Sequence, residues 1–169
     1  MKALGTALAA ALLATCAQAA DCGFAPLHLA ADANAPGTFA AAGERIEVRF
    51  TNENPNIAEP DAFPEPPAIL LDKTSGRRCL IEDGGIWARE PMYLSLDETR
   101  LLTYETSGSS GDLMVYDTRT CQRLLSRDIS GQLMAVEGDQ LVLGSQCDGD
   151  ALADCRVHTR EPLAPLCRP

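Results

Sequence analysis

The sequence predicts an all-β fold: two blade-like antiparallel sheets packed together, propeller-like but incomplete, and stapled by disulfides. Three features point there. After the first twenty residues, short apolar or alternating runs follow one another with turn residues between them, and none has helical spacing. A motif recurs: "LLDKTSGRRC" from Leu70 and "VYDTRTCQRL" from Val115 align Asp72 with Asp117, an offset of 45 residues. Finally, beyond the N-terminal leader the chain carries an even number of cysteines.

The leader is "MKALGTALAAALLATCAQAAD". Lys2 is the only charge before Asp21, an apolar run follows, and Ala17-Gln18-Ala19 gives the small-residue cleavage pattern. Residues 1–19 therefore read as a secretory signal peptide and 20–169 as one exported domain. The apolar stretch is too short for a membrane span, so a periplasmic protein is expected. Leu13-Ala14-Thr15-Cys16 approaches a lipoprotein box, although Thr15 is larger than the residue usual before such a cysteine, and lipidation of Cys16 stays open.

"RIEVRF" (Arg45–Phe50) alternates polar and apolar residues, the period of a half-buried strand. A stretch with five prolines, "TNENPNIAEPDAFPEPP", follows from Thr51 to Pro67. Proline cannot donate to a sheet ladder, so this stretch reads as a stiff surface crossover. The strands "AILLD", "MYLSL", "RLLTYE", "LMVYD" and "QLVLGS" come next, separated by the turns "DKTSG", "LDETR" and "VEGDQ". A period of about 40–45 residues marks propeller blades, but two units cannot close a ring.

The six cysteines are Cys22, Cys79, Cys121, Cys147, Cys155 and Cys167. In an exported chain they argue for three disulfides. Cys147 and Cys155 bracket "DGDALAD" and should pair locally. Cys22 and Cys167 could staple the termini, which would leave Cys79 with Cys121, but fifteen connectivities are formally open.

The sequence carries no recognisable catalytic constellation. Neither His28 nor His158 stands near a cysteine free to act as a nucleophile. Gly108-Ser109-Ser110-Gly111 is one residue short of the G-x-S-x-G elbow. "CDGDALADC" hints at a calcium loop, but Leu152 and Ala153 occupy positions where a ligand and a glycine are needed. No enzyme, cofactor or metal is expected. The net charge of −10 argues against nucleic acid and is compatible with a basic protein partner.

What remains is a binder, and binding residues concentrate on loops held by rigid strands. "TSGSSGD" (Thr106–Asp112) reads as a seven-residue loop between two strands, five of its residues serine or glycine. Such a loop is either a flexible hairpin tip or a finger slim enough to enter a narrow cleft. A periplasmic inhibitor of a wall enzyme such as a lysozyme and a small periplasmic ligand-binding module are alternative readings.

"DAFPEPP", "CLIEDGGIW", "LSLDETRLL", "SGSSGDLMVYDTRTC", "DISGQ" and "LAPLC" occur in that order. Together they resemble the periplasmic immunity proteins that neutralise the first-class peptidoglycan amidase effector of type VI secretion. The likeness covers roughly Asn52 to Cys167 and includes all six cysteines beyond the leader. It implies a one-to-one complex with a papain-like Cys-His amidase that cuts stem peptides between D-glutamate and diaminopimelate. It also implies that Ser109 and Ser110 enter the amidase cleft and bond its catalytic histidine, while Ser107, Gly108 and Gly111 shape the loop. The alanine-rich "HLAADANAPGTFAAAGE", and Tyr104 and Thr106, depart from the family pattern and bear on partner specificity.

Overall fold

The structure is a computed structural model and describes residues 23–51, 67–82 and 84–167. Among the described residues thirteen strands run in chain order: β1 (Phe24–Pro26), β2 (Ala30–Ala31), β3 (Thr38–Ala42), β4 (Ile46–Thr51), β5 (Ala68–Asp72), β6 (Arg78–Ile81), β7 (Ile86–Ser95), β8 (Arg100–Ser107), β9 (Ser110–Asp117), β10 (Arg123–Asp128), β11 (Gln132–Glu137), β12 (Gln140–Cys147) and β13 (Cys155–Pro162). Among the described residues there is no α-helix, only 3-10 turns at Leu152–Asp154 and Ala164–Leu166.

The strands form three sheets: β2-β3-β4-β5-β6, β1-β7-β8-β9-β10 and β11-β12-β13. Every pairing is antiparallel. The all-β, disulfide-stapled architecture stands, with three sheets in place of the expected two. The repeat covers only the first two meanders, β3–β6 and β7–β10. The third, β11–β13, ends one strand short and carries no copy of the motif.

The repeat is a structural one. Asp72 Oδ1 accepts the N–H groups of Thr74 and Ser75 (3.0 and 2.9 Å), and Asp117 Oδ1 accepts those of Arg119 and Thr120 (both 2.9 Å). Each aspartate thus holds the turn between the last two strands of its meander. Both turns close through a residue at positive φ, Gly76 in the first and Cys121 in the second.

The sheet containing β7–β10 is the central layer. On one face Leu101, Met114, Tyr116, Trp87 and Met92 meet Ile46, Val48, Phe50, Leu70 and Ile81 of the first sheet. On the other, Leu102, Leu113 and Val115 meet Met134, Leu141 and Leu143 of the third. Successive residues of a strand point to opposite faces, so Leu101 and Leu102 enter different cores. That is why "RLLTYE" and "LMVYD" read as nearly unbroken apolar runs. Trp87 anchors the first core, edge-on to Phe50 at 5.5 Å and stacked on Tyr116 at 5.4 Å. Each fully buried large side chain contributes about 1.5–3 kcal/mol.

Two disulfides are fully described. Cys79–Cys121 ties the edge strand β6 of the first sheet to the β9–β10 turn of the central one. Cys147–Cys155 closes the β12–β13 connection, as the sequence suggests. Cys167 is also disulfide-bonded. Cys16 and Cys22 lie outside the described residues, as does nearly all of the proline-rich stretch.

Candidate functional site: the serine hairpin

The β8 and β9 strands run further than "TSGSSGD" suggests. Glu105 pairs with Asp112, Thr106 with Gly111, and Ser107 with Ser110. The expected seven-residue loop therefore contracts to a two-residue turn, Gly108-Ser109. Small polar residues carry little strand signal, yet backbone pairing continues through them because the rigid strands below set the register. Gly108 has φ 60° and Ser109 does not enter the left-handed region. Glycine at positive φ in the first central position is the requirement of a type II′ hairpin turn. A Cβ at Gly108 would meet nothing within 4 Å, so the glycine serves conformation, not space.

Ser107, Gly108, Ser109 and Ser110 are exposed, and Gly111 is buried. The first four form a slim tip, while Gly111 belongs to its base. A Cβ at Gly111 would run into Tyr104 Oη, so no larger residue fits without moving the tyrosine. The Gly111 N–H donates to Ser130 Oγ (3.0 Å), and its carbonyl accepts the Ile129 N–H (2.8 Å). The β10–β11 connection thus braces the hairpin from one side.

Glu105 lies on the opposite face of β8 at the same height. The residue is 2 % exposed. It accepts the Tyr116 hydroxyl at 2.5 Å and the Gly85 N–H at 3.0 Å. Burial pushes this carboxyl above its ordinary pKa; the Tyr116 and Gly85 donors and Arg123 pull the other way, and Asp112 adds to the rise. Register places Glu105, Asp112 and Asp128 in one row across β8, β9 and β10. Asp112 and Asp128 stand opposite one another across β9 and β10, and like charges so placed cost stability. These two aspartates, unlike the buried Glu105, put acidic side chains at the solvent-facing base of the hairpin.

Sequence patterning singles out Ser107–Gly111 as candidates but not the residues that hold them in place. Glu105 looks like the polar end of an apolar run. The available signal is alternation: Leu101, Thr103 and Glu105 share a face, and all three are buried.

Every described cysteine is in a disulfide, so no described thiol can act as a nucleophile. His158 is exposed and its Nε2 lies 2.9 Å from the Leu152 carbonyl. In the "DGDALAD" loop, Asp148 pairs with Arg156 at 2.6 Å, and Asp154 accepts the Ala151 N–H. No group of three or more His, Cys, Asp or Glu among the described residues is placed to hold a metal. No described helix is long and apolar enough to cross a membrane. An open cavity of about 350 Å³ lies at the other end of β8, lined by Leu27, Ala42, Gly43, Leu94 and Glu98.

The family model "Immune protein Tsi1" matches residues 22–167. The chain belongs to the Tsi1 immune-protein family. It is similar to the "Immune protein Tsi1" of Pseudomonas aeruginosa, with 46 % identity over 168 residues, 99 % of this chain and 98 % of the relative. Tsi1 membership upholds the resemblance carried by the sequence motifs. The likeness extends through the alanine-rich N-terminal segment, which the motifs leave aside.

Proposed function

We propose that this Tsi1-family member is an immunity protein that binds a secreted Cys-His peptidoglycan amidase one-to-one. It inhibits the enzyme by placing Ser109 and Ser110 in the active-site cleft. The supporting observation is the exposed two-residue serine turn on a base fixed from both faces. A Cys-His amidase needs its imidazole to activate the thiol. A serine hydroxyl bonded to that imidazole occupies the base, and the hairpin behind it excludes substrate. The serine hydroxyl that meets the imidazole carries no amide for the thiolate to cut, so this contact binds the inhibitor without consuming it. A tip already ordered in the free protein loses little entropy on binding, which favours affinity. Asp112 and Asp128 beneath it would speed association with a basic cleft rim.

In this reading residues 1–19 direct export and are removed, residues 20–169 act in the periplasm, and the protein catalyses nothing. Its disulfides fit an oxidising compartment. The test is to mix purified mature protein with a Cys-His peptidoglycan amidase and follow stem-peptide cleavage. The reading expects inhibition complete at one equivalent and a one-to-one complex on gel filtration. Uninhibited cleavage, or inhibition of a lysozyme instead, would contradict it.

A further inference from the structure

The buried carboxyl of Glu105 sits two residues before the serine tip, and its two acceptor oxygens serve two different segments. One takes the Tyr116 hydroxyl from the neighbouring strand β9, the other the Gly85 N–H from the connection entering β7. That connection is packed hard against the hairpin. A Cβ at Gly84 would lie 2.8 Å from Glu105 Oε2, and one at Gly85 would lie 2.7 Å from the Thr106 carbonyl oxygen. Among the described residues no cation forms an ion pair with Glu105. A buried acid without one costs stability, which asks what it does in return.

We propose that Glu105 is a positioning residue: it clamps the Gly84-Gly85 turn onto the base of the serine hairpin, so that turn and tip present one composite docking face to the partner. This rests on the reading that the hairpin is the inhibitory element. The two glycines are then required because any side chain would hold the turn away from β8. At Gly84 the backbone adds a second reason, since φ is 143°.

The test separates the clamp from the inhibitory reading. Amide hydrogen exchange is measured in the free mature protein for Gly85 and Thr106–Gly111, in wild type, Glu105→Gln, Glu105→Leu and Gly85→Ala. Glutamine can turn its carbonyl to the Gly85 N–H and its amide to the Tyr116 oxygen, so it should stay within about threefold of wild type. Leucine keeps the volume but offers no acceptor, and should speed exchange by about tenfold, the loss of one buried hydrogen bond. Gly85→Ala, which leaves the carboxyl untouched, should do the same by displacing the turn. Circular dichroism checks that each variant folds, and Gly85→Ala still decides if Glu105→Leu does not. Equal exchange in wild type, Glu105→Leu and Gly85→Ala overturns the proposal, as does a glutamine variant as fast as leucine. Titrating a Cys-His peptidoglycan amidase with the same proteins should weaken inhibition about tenfold for leucine and alanine but not for glutamine. If a control Ser109→Arg inhibits like wild type, the inhibitory reading fails, whereas the exchange data still decide the clamp.

Discussion

Asp72 and Asp117 perform the same task in successive meanders: each accepts two backbone N–H groups of its own turn and pairs with an arginine from the preceding hairpin. Arg45 meets Asp72 at 2.9 Å and Arg100 meets Asp117 at 3.2 Å. The motif that repeats in sequence is therefore a turn lock, used once in the first sheet and once in the central one.

This lock sets an acid limit on stability. The Ser75 N–H first, then the Arg45 guanidinium and the Thr74 N–H, hold the Asp72 carboxyl down at about 2. A carboxyl lowered on folding contributes stability above its unfolded value of about 4 and loses it as pH falls toward the folded one. Asp72→Asn should melt lower than wild type at pH 7, and the gap should close between about pH 4 and pH 2. Thermal melts across that range check it; a gap constant with pH would refute it.

Glu105 should show the opposite slope. Burial raises its carboxyl, the Tyr116 and Gly85 donors and Arg123 oppose the rise, and Asp112 adds to it. Its contribution is complete below the unfolded glutamate value of about 4.3 and is lost as pH rises through the folded value. The melting temperature of wild type relative to Glu105→Gln should therefore fall as pH rises from 4 to 7. A difference that stays level would show that the carboxyl does not change charge on folding in that window.

The two described disulfides should differ in worth. Their sequence separations are 42 for Cys79–Cys121 and 8 for Cys147–Cys155. In the chain-entropy account these contribute about 4 and about 2.5 kcal/mol. Denaturant unfolding of the two double-serine variants should place the Cys79/Cys121 pair as the more damaging. The reverse order would mean that the link between the first and central sheets is not what stabilises them.

Leu102 is fully buried between the central and third sheets. Leu102→Ala should cost about 2–5 kcal/mol in equilibrium unfolding. A cost near zero would show that the third sheet packs loosely on β8.

The sequence carries most of the central layer in the open. "AILLD" coincides with β5, and "RLLTYE" and "LMVYD" seed β8 and β9, because strands buried on one or both faces must be apolar at regular positions. β3 is hidden by its alanines, whose β-propensity is low, and β13 by its position. An edge strand exposed along most of its length, with Arg156, His158, Arg160 and Glu161, has no apolar alternation to display. Charges along an edge block further pairing, so what conceals β13 from pattern reading is also what protects it. At the site, the serines are legible because a run of small residues stands out, while Glu105 is not. Its role depends on Gly85, twenty residues earlier, which only the fold brings to it.

The inhibitory role of the serine hairpin is tested most directly by a titration of amidase activity with wild type, Ser109→Ala, Ser110→Ala and Ser109→Arg, alongside thermal melts. Each alanine should remove one hydrogen bond to a partner group, about 1.5–3 kcal/mol or roughly ten- to a hundredfold in affinity. The arginine should be worse, because the turn then no longer fits a cleft. Melting temperatures should barely move, since Ser109 and Ser110 are exposed in the free protein. If all four inhibit equally at equal melting temperature, the hairpin is not the inhibitory element and the account is contradicted.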